Sequence, residues 1–142
     1  DNGHAFVKKD GQLGLIGKDG DITYDYDVMK DYVIPFSWAD SQPKFKGKSI
    51  NTFAKWVNSK LTYPEGARLK KLQGRVLLKF VIDTDGYPKD ITVEYSPGDE
   101  LSREAIRVVL TSPAWQPAKF NGKPYKVSVS FPVIFTLSSP AF

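Results

Sequence analysis

Residues 126–137 read KVSVSFPVIFTL. Val127, Val129 and Phe131 fall on one face of an extended chain, and Lys126, Ser128 and Ser130 on the other. Pro132 interrupts the stretch near its middle. Proline has no N–H for a neighbouring strand, so a central strand would lose a ladder bond there. An edge strand tolerates it where the missing N–H would point to solvent. The stretch therefore predicts a long edge strand whose border lacks a partner. Lys126, Ser128 and Ser130 share the parity of Pro132 and would present their backbone groups to that border. A proline at Ser128 is expected to spare the fold and remove a border donor. The plainer alternative is that Pro132 only blunts an edge against aggregation.

Upstream, Gly74–Asp83 alternates, with Val76, Leu78, Phe80 and Ile82 on one face and Leu77, Lys79 and Val81 on the other. Asp83-Thr84-Asp85-Gly86 reads as a turn. Asp90–Ser96 reads as a second strand with Ile91, Val93 and Tyr95 inward, so the two form a hairpin. A helix is expected from Ser49 to about Leu61, with Ile50, Phe53, Ala54, Val57 and Leu61 on one face. Trp56 lies off that stripe, and Pro64 prevents continuation. A second helix opens at Leu101, with Ser102 as its N-cap and Leu101 packing on Ile106. Its residues Ala105, Ile106 and Val109 face the sheet. The loop that follows turns at Asn121-Gly122. The expected fold is α+β: a three-stranded antiparallel sheet with two helices on one face, in the order helix-strand-strand-helix-strand.

Charge divides the chain. Residues 1–42 hold four Lys and eight Asp, net −4, while residues 43–142 carry a net +8. This predicts an acidic arm over 1–42 and a larger basic unit over 43–142. Two Lys-Asp-Gly triplets in the arm mark hairpin turns, with strands near 5–8, 12–17 and 21–26. Residues 33–48, VIPFSWADSQPKFKGK, read as an extended linker. The chain has no cysteine, so disulfide and thiol chemistry are excluded. No run approaches the roughly 20 apolar residues of a membrane span.

Catalytic devices are poorly supported. His4 is the only histidine, close to the first residue given. Asp83 and Asp85 are explained by the turn, and Asp19, Asp21, Asp25 and Asp27 lack the calcium-loop spacing. Gly14 and Gly17 are not followed by the Lys-Ser/Thr of a phosphate loop. No catalytic residue, metal site or cofactor is expected. Arg68, Lys70, Lys71 and Arg75 raise nucleic-acid binding as an alternative, but the sheet aromatics are needed for the core. Trp115 is either a ligand platform or core packing.

Tyr63-Pro64, Gly74-Arg75-Val76, Phe80-Val81-Ile82-Asp83, Asp85-Gly86, Glu104-Ala105-Ile106, Pro113-Ala114-Trp115-Gln116-Pro117, Asn121-Gly122-Lys123-Pro124 and Pro132-Val133-Ile134-Phe135 occur in an order that resembles the TonB C-terminal domain family. Pro43-Lys44-Phe45-Lys46-Gly47 resembles the version common in Bacteroides-like bacteria, with Lys44, Lys46 and Lys48 making the stretch more basic than is usual there. Gln12 to Gly20 resembles one degenerate copy of a WG-type β repeat.

The resemblance implies a periplasmic interaction domain that grips an outer-membrane receptor segment, the TonB box, as an added strand. It implies partner-binding residues Lys126, Val127, Ser128, Val129, Ser130 and Phe131 on the last strand, and Leu61, Thr62, Tyr63 and Pro64 beside it. It also implies coupling to an inner-membrane motor complex if the full protein carries a transmembrane anchor, and otherwise a soluble or lipid-anchored binder. A homodimer through the edge, or attachment to cell-wall material, are the structural alternatives.

Overall fold

Asp10 and Gly11 sit at positive φ, 52° and 77°, and close the first hairpin. It joins β1 (Ala5–Lys9) to β2 (Gln12–Ile16), and β3 (Ile22–Thr23) completes an antiparallel meander. The first two match the strands expected of the arm, while the third, expected over 21–26, is only two residues long and gives way to a helical turn at Tyr26. A computed structural model of the chain describes residues 5–34 and 36–137. His4 lies outside the described residues.

The Asp25 carboxylate accepts from the Asp27 N–H at 3.0 Å and caps the single turn α1 (Tyr26–Met29). Asp19 likewise accepts from the Asp21 N–H at 3.2 Å, so these carboxylates serve local turns. The Tyr26 hydroxyl donates to the Pro124 carbonyl at 2.7 Å, and its ring meets Tyr125 edge-on at 5.2 Å. Leu13, Leu15, Met29 and Ile34 join the same buried cluster as the residues beyond 43. The arm is thus attached by apolar and aromatic contacts. Among the described residues the ion pairs run within the arm or within the larger unit, not between them.

Residues 33–48 are not an extended linker. They hold β4 (Val33–Ile34) and a 3-10 turn at Phe36–Trp38. Ser41 then pairs with Lys119, and Lys44 with Gln116. Phe45 is fully buried against Phe53, Trp56 and Trp115, with ring centroids 5.1, 5.6 and 5.7 Å away. The prolines and lysines of the segment gave it a polar average that hid two core residues, Ile34 and Phe45.

The helix expected over 49–61 is α2 (Ile50–Lys60), with Ser49 at the N-cap position but making no side-chain capping bond, and with Phe53 and Val57 buried. Trp56 finds its contact by stacking on Phe53 at 5.8 Å. Pro64 then starts a short helix that the sequence reading did not foresee, α3 (Glu65–Leu69). β5 (Gly74–Ile82) and β6 (Pro88–Tyr95) form the expected hairpin, and Val76, Leu78, Phe80 and Ile82 are fully buried. Within that turn Gly86 has φ 88°, and its carbonyl accepts from the Trp115 N–H at 2.8 Å. A Cβ at this position would collide with the Trp115 carbonyl, so only glycine fits.

The inward assignment on β6 holds for Ile91, which packs half-buried on the core, and fails for Val93 and Tyr95. Register shifts interrupt its pairing with β5, and Val93 and Tyr95 are 41% and 58% exposed. β6 is the outer strand of the sheet, where cover is incomplete and a bulge changes which face a residue meets.

The next helix, α4 (Asp99–Leu110), begins earlier than expected, with Gly98 as N-cap. Ser102 lies inside it and donates to the Gly98 carbonyl at 3.3 Å, while Leu101 is itself fully buried. Asp99 and Glu100 in the first turn complement the helix dipole. Asn121 and Gly122, φ 52° and 78°, turn β7 (Ala118–Phe120) into β8 (Lys123–Phe135).

The large sheet has the order β4-β8-β5-β6, with β7 paired to the start of β8. The expected three antiparallel strands are present as β8-β5-β6. β4 is an addition, and it runs parallel to β8. The account of β8 as an edge along its whole length is therefore corrected.

A partly open border on strand β8

β5 and β8 pair without a register break from Gly74 opposite Phe135 to Ile82 opposite Val127. Pro132 lies opposite Leu77 and has no N–H, so this must be a non-hydrogen-bonded pair. Strict alternation then assigns Val127, Val129, Phe131 and Val133 to bonding with β5. The backbone groups of Lys126, Ser128, Ser130, Pro132 and Ile134 face the opposite border. Val129 and Phe131, expected at the partner site, thus spend both backbone groups on β5 and bury their side chains at 3% and 4% exposure.

The first part of that border is occupied. Val33 pairs with Lys126 and Ile34 with Val127, in parallel. Val127 already spends its backbone groups on β5, so this register is satisfied in one way only. The Ile34 N–H donates to the Lys126 carbonyl, and the Ser128 N–H donates to the Ile34 carbonyl. Lys126 is thus removed from the open border, Val127 bonds to β5 instead, and Ser128 keeps only its carbonyl there. The expectation that proline at Ser128 would spare the fold is corrected, since it would cut the bond to Ile34. Val33 and Ile34 were missed because two residues before a proline carry no periodic signal.

Among the described residues, what stays open is the Ser128 carbonyl, both groups of Ser130, the Pro132 carbonyl and both groups of Ile134. Ile50 from α2 joins Ser128, Val129 and Ser130 around a cleft of about 340 Å³ beside this border. Ile50 was read only as a core residue; its place at the first turn of α2 leaves it half-buried.

Leu61, Thr62, Tyr63 and Pro64 are at the other end of β8. Tyr63 meets Phe135 edge-on at 5.6 Å, and its hydroxyl donates to the Leu72 carbonyl. Ser128 to Phe135 spans roughly 23 Å of extended chain, so the loop and the cleft flank one strand but do not meet.

The loop is pinned from α4. The Thr62 N–H donates to Glu104 at 2.7 Å, and Arg107 donates to Glu104 at 2.7 Å and to the Lys60 carbonyl at 3.3 Å. The hydrogen bond from Arg107 holds the Glu104 carboxyl below its ordinary value of 4.5; burial opposes this, and the Thr62 N–H assists. A lowered folded pKa gives stability that is present above the ordinary value and lost as pH falls through the lowered one. Glu104→Gln is therefore expected to lessen the fall in thermal midpoint on acidification below pH 4.5. Melting curves of both proteins from about pH 6 to about pH 3 check this, and an unchanged pH profile would count against the role of Glu104.

Other candidates resolve into structure. Trp115 is 3% exposed, packs on Phe53 at 4.6 Å and donates from its indole N–H to Ser112 at 3.0 Å, so it is core rather than a platform. Asp83 and Asp85 both bind Lys89 at 2.9 Å, which ties the turn to β6.

Comparison with known proteins follows the same lines. The family described as Gram-negative bacterial TonB protein C-terminal matches residues 59–137. A solution structure of the Helicobacter pylori TonB C-terminal domain has a TM-score of 0.50 at 23% identity, covering 64% of this chain and 82% of that one. This likeness bears on the fold alone. A shorter Helicobacter pylori structure of the same domain has a TM-score of 0.49 at 26% identity, covering 64% and 96%. The Pseudomonas aeruginosa domain has a TM-score of 0.44 at 26% identity, covering 57% and 82%. No curated protein matches the chain. The arm, β4 and most of α2 precede the matched span, which takes in α3, the β5–β6 hairpin, α4 and β8. That span is more than half of the chain, and the chain belongs to the family of Gram-negative bacterial TonB protein C-terminal domains.

Proposed function

We propose that this chain binds an extended segment of an outer-membrane TonB-dependent receptor as an added strand on β8, in the periplasm, as part of the coupling to outer-membrane transport. The open run of backbone groups from the Ser128 carbonyl to Ile134 carries this reading. An unpaired border supplies main-chain hydrogen bonds to any extended peptide, and pockets beside it select side chains. Residues of such a peptide would point alternately towards Ile50 and Val129, and away beside Ser128 and Ser130. β4 fixes where the added strand stops at one end. At the other, the loop Leu61–Pro64 is held rigid enough to act as a wall.

Membership of the family assigns an interaction domain rather than an enzyme. Among the described residues no helix is long and apolar enough to cross a membrane. An inner-membrane motor complex is a partner only if the full protein carries an anchor. Nucleic acid is disfavoured because Arg68 is paired with Glu65, and Lys70 lies 3.8 Å from Glu100.

Titration with synthetic peptides from the periplasm-facing termini of such receptors, followed by amide NMR, tests the reading. The expected result is slowed exchange at the Ser130 and Ile134 amides with the rest of β8 unaltered. Shifts confined to other surfaces, or occupation of the border by a second copy at all usable concentrations, would overturn it.

A further inference from the structure

A pocket of about 150 Å³ opens where the arm meets the turn between β7 and β8. Its walls are aromatic, with Tyr24 and Tyr26 from the arm and Phe120 and Tyr125 from the larger unit. Gln12, Asn121 and Lys123 also line it, and among the described residues no carboxylate does. Tyr125 pairs with Ala118 and precedes the stretch covered by β4, so the pocket lies upstream of the open border.

Tyr125 is 3% exposed, and its hydroxyl makes no hydrogen bond among the described residues. Its neighbour Tyr26 donates its own hydroxyl hydrogen to the Pro124 carbonyl at 2.7 Å. Burial, with Tyr26 adding to it, pushes the Tyr125 hydroxyl above its ordinary value of 10.0, so it stays a neutral donor. A buried hydroxyl left without a partner is costly and rare. Among the described residues the side-chain amides of Gln12 and Asn121 and the Tyr24 hydroxyl make no hydrogen bond either. Asn121 is held in place by its backbone N–H, which donates to Asp40 at 2.7 Å. Tyr24 is 44% exposed but its ring lies against Gly14, where a Cβ would come within 3.0 Å of it. The one cation lining the pocket, Lys123, sits over the Tyr26 ring at 4.8 Å.

These groups select the chemistry of a ligand. A purely apolar molecule would leave the Tyr125 hydroxyl unpaired. An anion would find a single ammonium beside an arm of net charge −4. What fits is a ring with apolar C–H faces for the tyrosines and several neutral hydroxyls at its edge, since amides and phenols both donate and accept. A cavity of this volume holds one six-membered ring. We infer that the pocket binds one neutral pyranose ring of a saccharide, with Tyr24 against its face and Tyr125, Gln12 and Asn121 bonding its hydroxyls. The inference does not depend on strand addition, and either can fail without the other.

Methyl glycosides of glucose, galactose, mannose and N-acetylglucosamine are the probes, with methyl glucuronide and cyclohexanol as the charged and the largely apolar control. Amide NMR titration of the whole chain is expected to show at least one neutral glycoside binding with a Kd on the order of 1 mM, the affinity open to a single ring. The shifts should centre on Gln12, Tyr24 and Asn121. Tyr24→Ala should abolish them. Tyr125→Phe should weaken binding about five-fold without lowering the thermal midpoint, since it deletes a hydroxyl that the fold leaves unbonded. The matching blocked disaccharide separates two sources. Tighter binding assigns the ring to a longer glycan, equal or weaker binding to a free monosaccharide, and either supports the site. Failure of every neutral glycoside to bind, equal binding of cyclohexanol, tighter binding of the glucuronide, or undiminished binding by either variant would overturn the inference.

Discussion

Ser130→Pro is expected to abolish peptide binding while leaving the chain folded. Ser130 lies opposite Lys79 in a non-hydrogen-bonded pair, two residues from Pro132 in the same register. Its N–H is therefore not used by β5. β4 does not reach it either, since the parallel pairing ends at Val127. Proline here would remove the central border donor and place a ring where the added strand must approach. Two neighbouring border prolines would leave donors only at Ile134, too few to hold a strand. Affinity should fall by at least ten-fold, because the main-chain bonds on either side of position 130 form together. The thermal midpoint should move by only a few degrees, as β8 already tolerates one proline of this parity.

Ser128→Pro makes the informative contrast, for it removes the donor to the Ile34 carbonyl and should loosen the arm. A Ser130→Pro chain that fails to fold would show that the parity assignment is wrong.

Phe45→Ala is expected to cost about 3–5 kcal/mol, the range for removing a large buried aromatic side chain. Phe45 is fully buried, and its ring meets Phe53, Trp56 and Trp115 at 5.1–5.7 Å. Phe53 in turn touches Phe131 at 4.9 Å and Phe80 at 6.4 Å, so the cavity would open onto the core face of β8 and β5. The backbone around Phe45 is held by bonds to Lys48 and, through Lys44, to Gln116, which limits collapse into the void. A single domain is commonly stable by about 5–15 kcal/mol, so the loss is a large share of the total. Urea unfolding followed by tryptophan fluorescence measures it. A loss under about 1 kcal/mol would mean that the segment before α2 behaves as the loose linker its composition resembles.

Legibility followed periodicity. β5 alternates cleanly because it is buried on one face along its whole length, so Val76, Leu78, Phe80 and Ile82 were readable. α2 was readable from its 3.6-residue stripe, and the turns at Asp10-Gly11 and Asn121-Gly122 from residues that accept positive φ. β6 was misread on its inner face, because the bulges that set its register leave no compositional trace. β4 was invisible for a different reason. Its two residues are strand only because β8 offers them a border, so the information lies in the partner and not in Val33-Ile34. Phe45 belongs to the same class, being one aromatic fixed by contacts with residues up to 70 positions away.

At the candidate site, Pro132 alone announced the parity of β8, and its place opposite Leu77 in an unbroken register carries that parity along the strand. It could not announce how much of the border the chain covers with its own arm. That moved the open run from Lys126–Phe131 to the stretch between Ser128 and Ile134.

Amide hydrogen exchange of β8 in the free monomer is the most direct measurement of this border, because it needs no knowledge of the ligand. Val127, Val129, Phe131 and Val133 should be protected, Ser128 protected by Ile34, and Ser130 and Ile134 fast. Strong protection of Ser130 in the uncomplexed monomer would mean that the border is already closed, and with it the proposed site.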